Sequence, residues 1–136
     1  MSGTILVDLQ RVDALLVAAE LSTGAVQRHR AALRAAREMG LVVLRARGGR
    51  LLRALGADDE ANAEPQNLPL WQLVAQVAPS CAEWAAWFQL SEGSRRVSDR
   101  QADDLVRDVA AFRAQVATEL GRPARGSARG VVARHG

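Results

Sequence analysis

Arginines concentrate on one face of a helix predicted in the first half of the chain. Arg30, Arg34 and Arg37 recur at spacings of three or four residues, and Arg95 and Arg96 form a second basic pair. A guanidinium group can hold a phosphate through two parallel hydrogen bonds, and several such contacts give binding that weakens with salt. These five arginines are candidates for a nucleic-acid-binding or nucleotide-binding surface. A solvated basic helix face is the favoured interpretation of the α-helical stripe.

Two side chains in the predicted helical region could carry reactive chemistry, His29 and Cys81. His29 could act as a general base only with a nucleophile or carboxylate in reach. The alternative is a core or interface imidazole with one satisfied nitrogen. Cys81 lies in the most apolar segment, where a thiol behaves as a small hydrophobe and its pKa tends upward. Together with His135 these residues show no metal-ligand spacing, and we predict no catalytic residue among them.

Three carboxylates lie close together on the last predicted helix and could in principle bind Mg²⁺: Asp103, Asp104 and Asp108. Arg107 follows Asp103 by four residues, and Arg100 precedes Asp104 by four. Pairs at that spacing form ion pairs on a solvated helix face. The sequence therefore predicts neither a metal site nor a cofactor.

The charge is distributed unevenly along the chain. All 18 basic residues are arginine, and the last 16 residues contain four of them with no acidic residue. Residues 1–120 hold 14 arginines against 15 acidic residues, a net charge of −1. The sequence pI of 10.8 therefore overstates the basic character of the body. We expect one bundle domain over residues 1–120 and a flexible Arg-rich tail over 121–136.

The apolar pattern excludes a membrane-spanning segment and indicates a cytoplasmic protein. Apolar residues make up 49% of the chain, yet no apolar run approaches 18 residues. The residues after Met1 show neither a basic region nor a small-residue cleavage site. We therefore expect no contact with a membrane.

Two amphipathic helices are predicted before residue 48. The first spans about Thr4 to Leu21, and the second begins at a cap provided by Ser22 or Thr23 and ends near Arg47. Small residues in the second helix, including Gly40, would let a neighbour approach closely. Gly48-Gly49 follows no strand, so it is interpreted as a helix stop. Residues 48–69 are predicted to form a long, exposed, mobile loop with room for one helical turn at Arg50 to Leu55.

A Trp-rich central segment and a last helix complete the predicted bundle. Pro79 should divide the segment Leu70 to Leu90 into two short helices, or kink a single one. Its aromatic residues Trp84, Trp87 and Phe88 could stack on bases, although core packing is the favoured interpretation. Ser98 with Gln101 forms a capping-box signature that starts the last helix. No strand pattern is present, so the fold class is all-α, a single up-and-down bundle of four to five helices.

Four segments together resemble an actinobacterial family of HEPN-domain proteins, named for higher eukaryotes and prokaryotes nucleotide-binding. They are the Ala-rich stretch His29–Ala36, the Trp/Pro stretch Leu70–Pro79, the Trp/Phe stretch Ala82–Phe88 and the helix start Val97–Asp108. The resemblance spans roughly residues 14–120. It implies a four- to five-helix bundle that is commonly dimeric, so we expect a homodimer.

Many HEPN proteins are metal-independent ribonucleases that use an arginine followed, after four to six residues, by a histidine. The matching region here holds Arg95 and Arg96 with no histidine in reach. Arg129 and His135 have the spacing but lie in the tail. The resemblance therefore implies a non-catalytic HEPN-type module that binds nucleotide or RNA or acts as a dimeric accessory protein. A protein-interaction adaptor without nucleic-acid binding is the alternative, and a surviving ribonuclease is the least favoured function.

Overall fold

The predicted all-α fold class is confirmed by a computed structural model, which describes residues 2–54 and 69–122. That part of the chain is 87% helical and contains no strand. It forms six α-helices and one 3₁₀ turn: α1 Gly3–Leu21, α2 Ala25–Arg47, α3 Gly49–Ala54, α4 Leu70–Val77, the turn Pro79–Cys81, α5 Ala82–Glu92 and α6 Asp99–Gly121. None of the described helices is long and apolar enough to cross a membrane.

The helix α2 is the centre of the bundle and packs against both α1 and α6 over most of its length. The predicted core stripe of α6 is buried in full: Ala102, Leu105, Val109, Phe112, Val116 and Leu120. The same spacing predicts a stripe on α1, of which Ile5 is partly buried and the other four residues are buried: Leu9, Val12, Leu16 and Ala19. The spacing of three and four residues identified these faces correctly because apolar burial dominates the packing of both helices.

Ion pairs at the two ends of α2 and α6 show that these helices run in the same direction. At one end, Arg28 donates to Asp99 and Asp103, each at 3.1 Å. At the other end, Arg47 contacts the Glu119 carboxylate at 3.4 Å. Because α1 and α2 are joined by three residues, α1 runs antiparallel to both.

Close contact between α2 and α4 depends on a residue without a side chain. A Cβ atom at Gly40 would lie 3.2 Å from Trp71 Cζ3 and 3.3 Å from Leu70 Cδ2. Further along, a Cβ atom at Gly48 would lie 3.3 Å from Val77 Cγ1, so α4 runs alongside α2 in the same direction. The close approach predicted at Gly40 is therefore confirmed.

Pro79 divides the central segment into two helices rather than kinking one. Ala78, just before it, has φ −139° and ψ 79°, which is outside the helical region, as the proline ring requires. Four aromatic rings of the segment and of α6 then form one cluster with centroid separations of 5.1 to 6.1 Å: Trp71, Trp84, Phe88 and Phe112. The favoured core interpretation holds for Trp84 and Phe88, but Trp87 lies at the surface.

The helix caps agree with the sequence at α6 and differ at α2. Ser98 and Gln101 form the predicted capping box, with Ser98 N donating to Gln101 Oε1 at 2.8 Å and Gln101 N donating to Ser98 Oγ at 3.1 Å. The predicted cap of α2 is wrong. Its N-cap is Gly24, whose φ of 82° favours glycine, while Ser22 Oγ donates to Ala18 O within α1. The tight α1–α2 turn therefore uses backbone freedom in place of a side-chain cap.

The predicted exposed loop over 48–69 differs from the structure at its beginning. Gly48 is buried, residues 49–54 form the helix α3, and Leu51 and Leu52 pack partly buried against the core. Apolar leucines on one face of the short helix explain the difference. The rest of that loop, from residue 55 to 68, and the predicted tail from residue 123 onward lie outside the described residues.

We predict that Gly40→Val destabilises the bundle, because its γ-carbons would collide with Trp71 and Leu70. Overpacking of this kind costs about 1–3 kcal/mol. Urea unfolding followed by circular dichroism measures the change. Gly121→Val is the matched control, since nothing lies within 4 Å of a Cβ atom there. Equal stability of the two variants would contradict the close α2–α4 contact.

A candidate anion-binding groove beside His29

A groove of about 660 Å³ lies between α2 and the segment that joins α5 to α6. Four of the five arginines predicted to bind nucleic acid line it together: Arg30, Arg34, Arg37 and Arg95. Arg96 is the exception, because it is exposed and does not line the groove. Residues far apart in sequence thus converge on one surface, which the spacing along α2 alone could not show.

The four guanidinium groups differ in how far they are neutralised. Arg37 Nη1 donates to Glu92 Oε2 at 2.9 Å, and the same oxygen accepts from Trp71 Nε1 at 3.1 Å. Arg30, Arg34 and Arg95 make no ion pair within the described residues. Glu92 and Glu38 are the acidic residues of the lining. The groove therefore keeps an excess of positive charge.

Apolar side chains form the rest of the wall: Val26, Leu33, Leu41 and Val97. A surface that is apolar between cationic groups excludes water from part of a ligand and strengthens charge-assisted hydrogen bonds at its edge. Such a groove suits a ligand with an anionic end and a flat or apolar body.

His29 lies in the wall of the groove and is 9% exposed. Its imidazole makes no hydrogen bond with the described residues, so the predicted core imidazole with a satisfied nitrogen is not what the structure has. No described buried side-chain nitrogen or oxygen lacks both a partner and solvent contact. The imidazole nitrogens thus have access to the cavity. Burial lowers the pKa of His29, which keeps the ring neutral at neutral pH.

A second cavity of about 130 Å³ adjoins the groove. The two share His29, Ser94 and Val97, so His29 stands between them. The smaller cavity adds Trp87 and the polar side chains of Ser91, Gln101 and Asp104. An aromatic face with hydrogen-bonding groups is thereby placed next to the arginines.

The three carboxylates considered as a cation site are engaged separately. Asp103 accepts from Arg28, Asp104 pairs with both Arg100 and Arg107, and Asp108 accepts from Trp87 Nε1 at 3.0 Å. Across residues 2–54 and 69–122, no three acidic, histidine or cysteine side chains come together in a way that could hold a metal ion.

Cys81 is fully buried in the 3₁₀ turn between α4 and α5. Burial raises the pKa of its thiol, the hydrogen bond with Ser80 opposes that effect, and the negative charge of Glu119 adds to it. A thiol held in the protonated form behaves as a small apolar group. Cys81 therefore contributes packing to the core.

Sequence reasoning missed the roles of His29 and Trp87 in the site. His29 sits on the edge of the buried face of α2, where the helical period does not distinguish the core from a cavity wall. Trp87 lies between Trp84 and Phe88 in an apolar run, which obscured its exposure. The low apolar periodicity of α5 was the available signal, because a helix that is apolar on every side must expose some of those residues.

We predict that His29 titrates below its ordinary pKa of 6.5. The unfolded chain then takes up a proton at a higher pH than the folded protein. Stability is consequently full above about pH 6.5 and is lost as the pH falls through 6.5 toward the folded pKa. NMR titration of the imidazole gives the pKa, with His29→Gln identifying its signal. The same variant should unfold in urea with a smaller pH dependence. A midpoint at or above 6.5 would contradict the burial effect.

Comparisons with models of protein families, with functionally characterised proteins and with experimentally determined structures found no match to this chain.

Proposed function

We propose that this protein is a non-catalytic, cytoplasmic HEPN-type helical module that binds a phosphate-bearing ligand, a nucleotide or RNA, in the groove beside His29. The observation that carries the proposal is the convergence of Arg30, Arg34, Arg37 and Arg95 on one groove. Arg95 lies between α5 and α6, far along the chain from the three arginines of α2, so a helix face solvated for solubility does not account for all four.

Charge and geometry together favour phosphate as the recognised group. A guanidinium presents donors in a fixed fork that matches two phosphate oxygens. Arg30, Arg34 and Arg95 have no acidic partner among the described residues, so their donors can turn to a ligand. Arg37 is held by Glu92 and is better suited to shaping the end of the groove. Neutral His29 can add one hydrogen bond without adding charge.

We propose that the protein is non-catalytic because the groove lacks a pair of residues that could act as acid and base. Metal-independent cleavage of RNA needs an acid and a base placed on either side of the reacting phosphate. His29 is the one imidazole among the described residues. Arg95 and Arg96 have no histidine at the family spacing. A binding role is supported by the arginines and does not require a second titrating group.

We predict that Arg34→Ala and Arg95→Ala each weaken binding of a fluorescent adenosine triphosphate analogue by about tenfold or more, since each removes a charged hydrogen bond. Fluorescence anisotropy at several salt concentrations measures the affinity. The affinity should also depend less steeply on salt in each variant, because one charged contact that salt screens has been removed. Arg100→Ala is the matched control, because its side chain is 91% exposed on α6 outside the groove.

An equal loss of affinity in Arg100→Ala would show that the arginines act only through general charge attraction, and it would contradict a site in the groove. A single-stranded RNA incubated with the protein should remain intact. Cleavage that His29→Gln abolishes would establish a ribonuclease instead and overturn the non-catalytic part of the proposal.

We also propose that the protein is a homodimer. The supporting observation is an exposed apolar face on α1. Leu6, Val7, Val17 and Leu21 are 50–77% exposed and account for four of the seven large apolar side chains exposed in the described residues. A face of this kind on a helix indicates an interaction surface. We propose that a second copy of this chain covers it.

The spacing on this outer face suits a helix of the same sequence. Val7, Gln10, Ala14, Val17 and Leu21 alternate in steps of three and four residues, which is the seam of a two-stranded coiled coil. The small side chain of Ala14 at its centre lets two helices approach closely. Gln10 is the polar member, and two such amides can hydrogen-bond to each other across a two-fold axis.

The charges beside the seam favour parallel pairing of the two α1 helices. Glu20 flanks one edge, beside Asp13, which is held by Arg113 at 2.9 and 3.1 Å. Arg11 flanks the other edge and lies 3.7 Å from Asp8. In a parallel pair the acidic edge of one copy faces the basic edge of its partner. Antiparallel pairing would set the acidic edges against each other.

We predict that Val17→Glu weakens the dimer at least tenfold, because it places a charge in the apolar seam. Light scattering after size exclusion, over a range of protein concentrations, measures the mass. Leu90→Glu is the matched control, since Leu90 is equally apolar and exposed but lies on α5. A monomeric unmodified protein at high concentration would contradict this interface, and a dimer broken by both variants would contradict its location.

A further inference from the structure

Trp87 differs from the other aromatic residues of the described chain. Trp71, Trp84, Phe88 and Phe112 contact one another in the core, whereas Trp87 takes no part in that cluster and is 45% exposed. Its ring is nevertheless held in place, because Nε1 donates to Asp108 Oδ2 at 3.0 Å. An indole that is fixed at its polar edge and open on its surface is suited to stacking against a flat ligand.

The cavity beside Trp87 offers hydrogen-bonding groups suited to the edge of a heterocycle. Gln101 uses its Oε1 to accept from Ser98 N, which leaves its amide NH₂ as a donor. The Ser94 hydroxyl can donate or accept, and Asp104 lines the cavity with a carboxylate that also pairs with Arg100 and Arg107. The volume of about 130 Å³ equals the space of about four liquid water molecules, enough for one planar ring system and too small for a folded chain segment.

The small cavity and the arginine groove are neighbours that share three wall residues. His29, Ser94 and Val97 line both, so a ligand can occupy the two at once. His29 is nine-tenths buried, makes no hydrogen bond within the described residues and lies at the junction. A buried imidazole without a hydrogen-bond partner among the described residues can bond to a ligand atom that lies between the ligand's planar ring and its anionic end.

We infer that the ligand is a nucleoside phosphate, with its base against Trp87 in the small cavity and its phosphates on Arg30, Arg34 and Arg95. This inference rests on the proposed function and deepens it, because the groove alone requires only an anion. His29 then faces the sugar. Trp87 acts as the residue that distinguishes a nucleotide from other phosphate compounds. The same unit can come from a free nucleotide or from an unpaired nucleotide of RNA.

The test compares ligands that share phosphates and differ in the base. Isothermal titration with adenosine triphosphate, guanosine triphosphate and cytidine triphosphate is set against inorganic triphosphate. Stacking of one base on an aromatic ring corresponds to about 5- to 150-fold in affinity. We expect at least one nucleotide to bind at least fivefold more tightly than inorganic triphosphate.

Variants at Trp87 test whether this residue causes the tighter binding of the nucleotide. Trp87→Ala should reduce the nucleotide affinity to that of inorganic triphosphate and leave the inorganic triphosphate affinity unchanged. Trp87→Phe should restore most of the preference, because it keeps an aromatic face. Leu90→Ala is the control for an exposed apolar residue of α5 outside the cavity, and circular dichroism checks that each variant is folded.

The outcomes separate this inference from the function on which it rests. Equal binding of nucleotides and inorganic triphosphate, both weakened by Arg34→Ala, would overturn the base site and leave the anion groove standing. No binding of any phosphate ligand would overturn both. A single-stranded RNA hexamer that binds more tightly than every nucleotide, and depends on Trp87, would support the base site and identify RNA as the source.

Discussion

The position of α2 between α1, α4 and α6 is the constraint on which the rest of the structure depends. Its buried residues include a series of small ones: Ala32, Ala35, Ala36 and Gly40. Small side chains permit neighbouring helices to approach on three sides. The sector of α2 that remains open is the one that carries Arg30, Arg34 and Arg37. The groove is therefore a consequence of the packing, because only this face of the central helix is left for solvent or a ligand.

Polar contacts at the two ends of the bundle set the register of α2 against α6. At the α6 C-terminus, Arg47 Nη2 donates to the backbone oxygens of Glu119 at 2.8 Å and Arg122 at 2.9 Å. The last carbonyls of a helix lack the usual intrahelical donors. Glu119 O also accepts from Arg122 N at 3.3 Å, and the arginine from α2 supplies a further donor to each carbonyl. Ser80 also donates to Glu119 Oε1 at 2.6 Å. Exposed ion pairs each contribute little to the free energy of unfolding. Several contacts at both ends nevertheless fix the position of α6 along α2. They thereby fix the position of the α5–α6 segment that forms one wall of the groove.

The sequence was sufficient where one local rule decides the structure. The capping box at Ser98, the break at Pro79 and the buried stripe of α6 each depend on residues within a few positions of one another. The α2 cap was predicted wrongly, and the helical turn expected after Gly49 packs against the core where an exposed loop was expected. Both differences arise because the chain turns against a core that is not local. Within the site, the sequence identified the arginines as candidates but did not predict that four of them line one groove. Arg95 reaches the α2 face only through the fold of α4, α5 and α6, which no periodicity encodes.

Local charge, not net charge, explains how a nearly neutral body can favour a phosphate ligand. The residues up to 120 carry a net charge of −1, so long-range attraction to a nucleic acid is weak. Acidic residues of α6 are paired with arginines outside the groove: Arg28 on α2, and Arg100 and Arg107 on α6 itself. The groove keeps three guanidinium groups without such partners among the described residues. Three positive groups match the phosphates of one nucleotide, whereas tracking of a long polyanion would need positive charge extended along the surface. The charge distribution therefore favours a compact ligand over an extended one.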